Sequence, residues 1–375
     1  MAWMNRRQFF SQSVKLCGAG TALGLSLGSN TGAADKENRD LVEAKHYQKL
    51  ANRKIKCVLC PRECVIDDLE TGYCGVRENH GGTYYTLVHS RPCSAHIDPI
   101  EKKPLFHFLP GTEAFSIATV GCNVLCKFCQ NWEISQARPD QAQSYELTPE
   151  KVAQYAITNN CASIAYTYTE PVVFFEYMYD CAQAGQQRNI KSVMISNGYI
   201  QAEPMRELIK VVDAVKVDLK AFTEGFYEKV VAGRLKPVLD TLVLLKNENS
   251  WTEIVYLVIP TLNDDPNEIR QMSKWIKAEL GADVPLHFSR FYPVYRLKNL
   301  PPTPTSTLDR ARNIAMEAGL NYVYIGNIPG HEGESTFCPN CKKIVVRRIG
   351  YQILENNLKK PGLCKFCQQK IAGVW

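Results

Sequence analysis

Eleven of the 15 cysteines in this 375-residue chain stand in three tight groups. Soft sulfur ligands at such spacing converge on metal, and each convergence fixes the backbone around it. The first group, Cys57-x2-Cys60-x3-Cys64-x9-Cys74, puts four thiols within 18 residues beside Pro61 and Gly75. It can close a tetrahedral zinc site or hold an iron–sulfur cluster, and sulfur ligation by itself leaves both open. The last group, Cys338-x2-Cys341-x22-Cys364-x2-Cys367, is two knuckles around a strand-like Lys343–Arg348. That is the pattern of a four-thiolate zinc ribbon, stapling a segment with too little core to fold without metal. The middle group, Cys122-x3-Cys126-x2-Cys129, offers three thiolates and no obvious fourth. Three ligands on a four-iron cluster leave one iron open, an arrangement for chemistry rather than electron storage. Cys93, Cys161 and Cys181 read as buried free thiols.

Between the second and third groups, short β-branched runs alternate with helical periods. The expected strands are Phe115–Val120, Ser163–Thr167, Lys191–Ser196, Ala214–Leu219, Glu253–Ile259, Leu286–Phe291 and Tyr322–Ile325. Helices are expected over Pro149–Thr158, with Thr148 as cap and Pro149 in the first turn, and over Pro266–Leu280. Strand–helix alternation implies a parallel sheet. The fold class is α/β: an incomplete (β/α)6-type TIM barrel flanked by a small cysteine-rich N-terminal segment and a zinc-ribbon-like C-terminal one. The boundaries are 1–34 for a leader, 35–112 for the N-terminal domain, 113–330 for the barrel and 331–375 for the ribbon.

The leader is Asn5-Arg6-Arg7-Gln8-Phe9-Phe10, a weakly apolar run from Val14 to Leu27 and a small-residue stretch Thr31–Ala34, with no acid before Asp35. It looks like a twin-arginine signal, a route taken by folded, cofactor-loaded proteins. Cys17 lies in it and is not expected to be a ligand. The run is too short to span a membrane comfortably, and no other stretch of about 18 apolar residues occurs. Setting aside Arg6, Arg7 and Lys15 reduces the formal net charge from +6 to +3, too little by itself to argue for nucleic acid.

In a barrel of this kind, chemistry gathers at the C-terminal strand ends. Those ends read Tyr166-Thr167-Tyr168-Thr169-Glu170-Pro171, Ser196-Asn197-Gly198-Tyr199 and Val217-Asp218-Leu219-Lys220, and the first expected strand runs into the three-cysteine loop. With its C-x3-C-x-aromatic-C motif, Phe128 being the aromatic residue, the chain resembles the radical S-adenosylmethionine (SAM) superfamily. Within it, the chain is similar to relatives of pyruvate formate-lyase-activating enzyme. It most closely resembles the AmmeMemoRadiSam-system radical SAM enzymes, through GCNVLCKFCQNWEISQ, YTYTEP, SNGY, DLKAF and YIGNIPG together with both flanking cysteine groups.

The resemblance implies that Cys122, Cys126 and Cys129 hold a [4Fe-4S] cluster whose fourth iron chelates the amino and carboxylate groups of SAM. Reductive cleavage then gives methionine and a 5′-deoxyadenosyl radical that takes hydrogen from a substrate. Glu170 falls where the family contacts the methionyl amino group, although Tyr-Thr-Glu replaces the commoner Gly-Gly-Glu. Asn197 matches a ribose-contacting position, Asp218 and Lys220 lie near the methionyl part, and Phe128 lies by the adenine. Glu170 before Pro171 also reads as a helix cap, Asn197-Gly198 as a turn, and Asp218 and Lys220 as partners of other side chains. An electron donor such as flavodoxin or ferredoxin is implied, with a protein substrate, including glycyl-radical activation, as one outcome. SAM and strong reductant are cytoplasmic, whereas the leader points outward.

Two other readings stand beside this one. In the first, an RNA- or protein-modifying enzyme grips its substrate through the ribbon's Lys342, Lys343, Arg347, Arg348, Lys359, Lys360, Lys365 and Lys370. In the second, a non-catalytic iron–sulfur protein carries electrons or senses metal.

Overall fold

The computed structural model describes residues 41–375. The twin-arginine-like leader and Cys17 lie outside the described residues. Its centre is an eight-stranded sheet: β1 (Ser94–Pro99), β2 (Glu113–Ala118), β3 (Ser163–Tyr166), β4 (Lys191–Ser196), β5 (Ala214–Asp218), β6 (Trp251–Val258), β7 (Leu286–Arg290) and β8 (Val323–Gly326). Neighbours in sequence are neighbours in the sheet, and β2 to β8 run parallel. Helices connect the parallel strands and cover the sheet, so β3 and β4 are buried almost along their whole length. The result is an α/β core of partial-barrel type with seven parallel strands, one for each strand expected from the sequence.

The eighth strand, β1, pairs antiparallel with β2 and forms one edge. Its sequence, Ser-Ala-His-Ile-Asp-Pro, has one β-branched residue and gives no alternation to read. The helix Pro149–Thr158 (α1) starts as its sequence dictates, with Thr148 Oγ1 accepting from Lys151 N at 3.5 Å and proline at the first position. The later helix is α-helical only over Pro266–Trp275, and Ile276–Leu280 continues as a π-turn.

The edges β1 and β8 do not pair with each other. The chain just after β1 occupies the region by β8: His107 shares hydrogen bonds with Tyr324 Oη at 2.5 Å and Ala372 O at 2.6 Å, and Phe108 bridges to Val374. Buried Glu253 on β6 accepts from Phe106 N, His107 N and the His287 ring at 2.8–3.0 Å. This buried polar network ties the first and last elements of the barrel together.

Two small antiparallel sheets precede the barrel, Val42–Glu43 with Thr83–Thr86 and Arg77–His80, and Tyr47–Lys49 with Ile55–Cys57 and Val65–Ile66. Fully buried Arg77 anchors them: it pairs with Glu176 on the helix Phe175–Gln186 and donates to Val173 O at 3.2 Å. Removing one partner strands a charge in the interior, so Arg77→Met should cost about 3–5 kcal/mol. Chemical denaturation measures this. A loss below about 1 kcal/mol would show that the pair is not what joins the two parts.

Candidate active site

The three-cysteine loop follows β2, at the C-terminal end of the sheet. Gly121 opens it at φ +98°, and a Cβ there would lie 2.6 Å from Val76 Cγ1 and 2.9 Å from Cys74 O. Only glycine fits that turn. Leu125 N and Lys127 N donate to Val231 O and Val230 O, both at 2.9 Å, and Asn123 Nδ2 donates to Tyr199 O at 2.7 Å. Cys129 N closes a turn onto Cys126 O at 3.1 Å. Backbone and asparagine contacts therefore shape the loop independently of the thiols.

Polar residues from the next strand ends face these thiols. Glu170 is buried at the start of the 3-10 turn Pro171–Phe174 and accepts from Val172 N at 3.1 Å and Ser196 Oγ at 2.7 Å on Oε1, and from Asn197 N at 2.8 Å on Oε2. Burial pushes its carboxyl up to about 7 against the pull of those hydrogen bonds and of Lys220. Asn197 Nδ2 donates to Asn123 Oδ1 at 2.8 Å and lies 4.0 Å from Cys122 Sγ. Burial, and next the negative charge of Glu170, raise the Cys122 thiol well above its usual range.

On β5, Asp218 pairs with Lys216 and lies 3.4 Å from Lys220 Nζ. Burial would raise its carboxyl, but the two lysines overcome that and hold it below the usual range. Burial would lower Lys220, but Asp218 and then Cys126 keep it charged and raise it. Burial also pushes the Cys126 thiol up to about 12, with Lys220 opposing. Lys220 Nζ stands 5.7 Å from the Phe128 ring centroid, and Phe128 packs 6.0 Å from Phe226.

The fold thus brings Cys122, Cys126, Cys129, Phe128, Glu170, Asn197, Asp218 and Lys220 to one end of the sheet. Glu170 also caps a turn, and Asp218 also pairs with lysines. Three further residues belong to the assembly and were not singled out from sequence: Asn123, Ser196 and Lys216. Lys216 did leave a signal, a lysine between Val215 and Val217 on a strand buried on both faces.

The flanking cysteine groups differ in geometry. The four C-terminal sulfurs all lie within 4.8 Å of one another, with Cys338 to Cys367 at 3.6 Å and Cys341 to Cys364 at 3.7 Å. A tetrahedral ion with metal–sulfur bonds of about 2.3 Å requires sulfur–sulfur edges of about 3.8 Å. The quartet is therefore shaped for one ion. It sits beside β9 (Thr336–Phe337), β10 (Ile344–Ile349) and β11 (Gln352–Asn356). The buried aliphatic side chains here include Val345, Val346 and Ile371, while Ile349, Tyr351 and Leu354 are exposed.

Arg348 also departs from the sequence-based expectation. It is buried, donating to Phe106 O at 2.7 Å and Thr336 Oγ1 at 2.8 Å, with Glu101 Oε1 at 3.8 Å. Strand alternation turns it inward while Arg347 faces out and pairs with Glu355. Arg348 is thus no part of a phosphate-facing surface.

The model of the Radical SAM superfamily matches residues 116–273, a span that holds the cysteine loop, Glu170, Asn197, Asp218 and Lys220. A Methanocaldococcus jannaschii protein described as uncharacterized is 47% identical over 88% of this chain and 98% of its own length. The chain belongs to the radical SAM superfamily. It is accordingly an enzyme. The pyruvate formate-lyase 1-activating enzyme of Escherichia coli is a distant relative, 21% identical over 54% of this chain and 89% of its own. A solved radical SAM methyltransferase from Sphaerobacter thermophilus is 15% identical over 60% of this chain and 71% of its own, with a TM-score of 0.43. Both flanking cysteine groups of this radical SAM enzyme lie outside the matched span. Among the described residues no helix is long and apolar enough to cross a membrane.

Proposed function

We propose that this radical SAM enzyme holds a [4Fe-4S] cluster on Cys122, Cys126 and Cys129 and abstracts hydrogen from its substrate, a protein being one option, as a member of the AmmeMemoRadiSam-type group. One observation carries the reading: opposite charges, buried Glu170 and Lys216 with partly buried Asp218 and Lys220, gather beside a loop of three free thiols at the strand ends. Cys122, Cys126 and Cys129 would hold a [4Fe-4S] cluster, which when bound would supply the electron for reductive cleavage of SAM. The protein orients the reactants and excludes water. Glu170 Oε2 has one protein donor and keeps a lone pair for an ammonium group, while Lys220 suits a carboxylate. Asn197 is assigned to the ribose and Phe128 to the adenine. The ribbon, taken as residues 331–375, holds one structural zinc ion, and the electron comes from a flavodoxin- or ferredoxin-type donor. Arg348 turns inward and is lost to the ribbon's basic surface, whose other seven residues remain exposed or partly exposed.

The test is SAM binding by anaerobically reconstituted enzyme at pH 6 to 8. A protonated carboxyl cannot pair with an ammonium, so wild-type affinity should rise with pH, by up to about tenfold per unit, and level off above about 7. The same raised pKa means that Glu170 costs stability as pH rises from the ordinary carboxylate range through about 7, where the folded state must give up a proton that the unfolded state has already lost. Glu170→Gln should flatten the binding profile and weaken binding by about 1.5–3 kcal/mol, roughly 10- to 100-fold. If binding is unchanged and only thermal stability falls, Glu170 is a cap and nothing more.

A further inference from the structure

We propose that Cys57, Cys60, Cys64 and Cys74 hold a second iron–sulfur cluster, beside the catalytic loop, rather than a single zinc ion. The C-terminal quartet is the internal standard. Among the described residues it is the only set of three or more potential ligands whose donor atoms all lie within 4.8 Å. The N-terminal thiols stand within 18 residues of one another in sequence, but no three of them are drawn to single-ion spacing. A tetrahedral ion needs sulfurs about 3.8 Å apart, whereas in a cubane each thiolate binds a different iron and the sulfurs stand wider.

The backbone holds that wider set in place. Cys57 N donates to Cys64 O at 2.9 Å, Glu63 N to Cys60 O at 3.1 Å and Gly75 N to Gly72 O at 2.9 Å. Cys57 and Cys60 are buried, and the buried Arg77–Glu176 pair anchors the small sheets that carry them.

Its position says what a cluster there would do. Leu59 O accepts from Gln201 N at 3.0 Å, Pro61 O from Arg234 Nη2 at 2.9 Å, and Arg62 Nε donates to Asn123 O at 2.5 Å. The quartet therefore leans on the loops after β2, β4 and β5. Cys74 O lies 2.9 Å from the Cβ position of Gly121, the residue before Cys122. Standard backbone dimensions then put the Cα atoms of Cys74 and Cys122 within about 11 Å. Zinc there is redox-inert, whereas a cluster is a second one-electron centre next to the first.

The experiment uses the full chain with Cys122→Ala, Cys126→Ala and Cys129→Ala combined, which leaves the N-terminal quartet intact. After anaerobic reconstitution it should keep about four iron atoms per chain and, once reduced, give the electron paramagnetic resonance signal of an isolated cluster. Adding Cys57→Ala and Cys60→Ala should remove both. Fully reduced wild type should hold about eight irons, with a spectrum broadened by coupling between neighbouring spins. Zinc in place of iron in the triple variant, or no metal at the quartet, overturns the proposal. A triple variant that keeps all the wild-type iron would instead sink the catalytic ligand set, so the two failures are distinguishable.

Discussion

Replacing Cys122, Cys126 or Cys129 singly with alanine is expected to abolish 5′-deoxyadenosine formation while the fold persists. The loop owes its shape to the Gly121 turn, the Asn123 bond to Tyr199 O and the Leu125 and Lys127 bonds to Val231 and Val230, none of which involves a thiol. Losing one sulfur should therefore leave far-ultraviolet circular dichroism unchanged and cost no more than the roughly 1 kcal/mol of a small buried group. Chemistry has no such tolerance, because two thiolates cannot present a cluster with one defined open iron. Chromatographic quantitation of 5′-deoxyadenosine, with SAM and a strong reductant, decides the matter. Turnover at the wild-type rate in any one of the three variants would remove that cysteine from the ligand set.

Signals that are local in sequence were readable. The strand Lys191–Ser196 and the helix Pro149–Thr158 match their expected bounds because hydrophobic run, cap and proline all lie inside one window. The helix expected over Pro266–Leu280 ran short where a π-turn took over at Ile276, a backbone change that hydrophobic period does not register. β6 starts at Trp251, before the expected Glu253, since pairing with Ala214 sets its edge. The three-cysteine loop was legible for the same local reason. What was not legible is long-range: Asn123 meets Asn197 across 74 residues, and Arg348 meets Phe106 across 242. Charge pairing inside the barrel follows from which side of a strand a residue takes, and that is fixed by register with strands far away in sequence.

That long-range coupling changes what loss of the C-terminal ion should do. Sequence alone suggests that Cys338→Ser would unravel the stretch after about Gly330 and leave the barrel untouched. In the structure Cys338 and Cys364 share one buried cluster with Val345 and Ile371, and with Phe106, Tyr322 and Tyr324 from the barrel. Arg348 from the same segment bonds Phe106 O, and the Tyr324 hydroxyl bonds Thr336 at 2.9 Å. Opening the ribbon should therefore expose barrel rings as well as produce the tail cleavage. Uncovering even one large aromatic side chain costs about 1.5–3 kcal/mol. For a domain of this size that lowers the melting midpoint by roughly 3–12 °C. Limited proteolysis should cut after about Gly330 and scanning calorimetry should show the barrel transition moving down, with the iron of the catalytic loop retained. A barrel transition that does not move would mean the shared cluster contributes no stability. A protease-resistant tail, or iron rather than zinc at the quartet, would overturn the structural role of the ion.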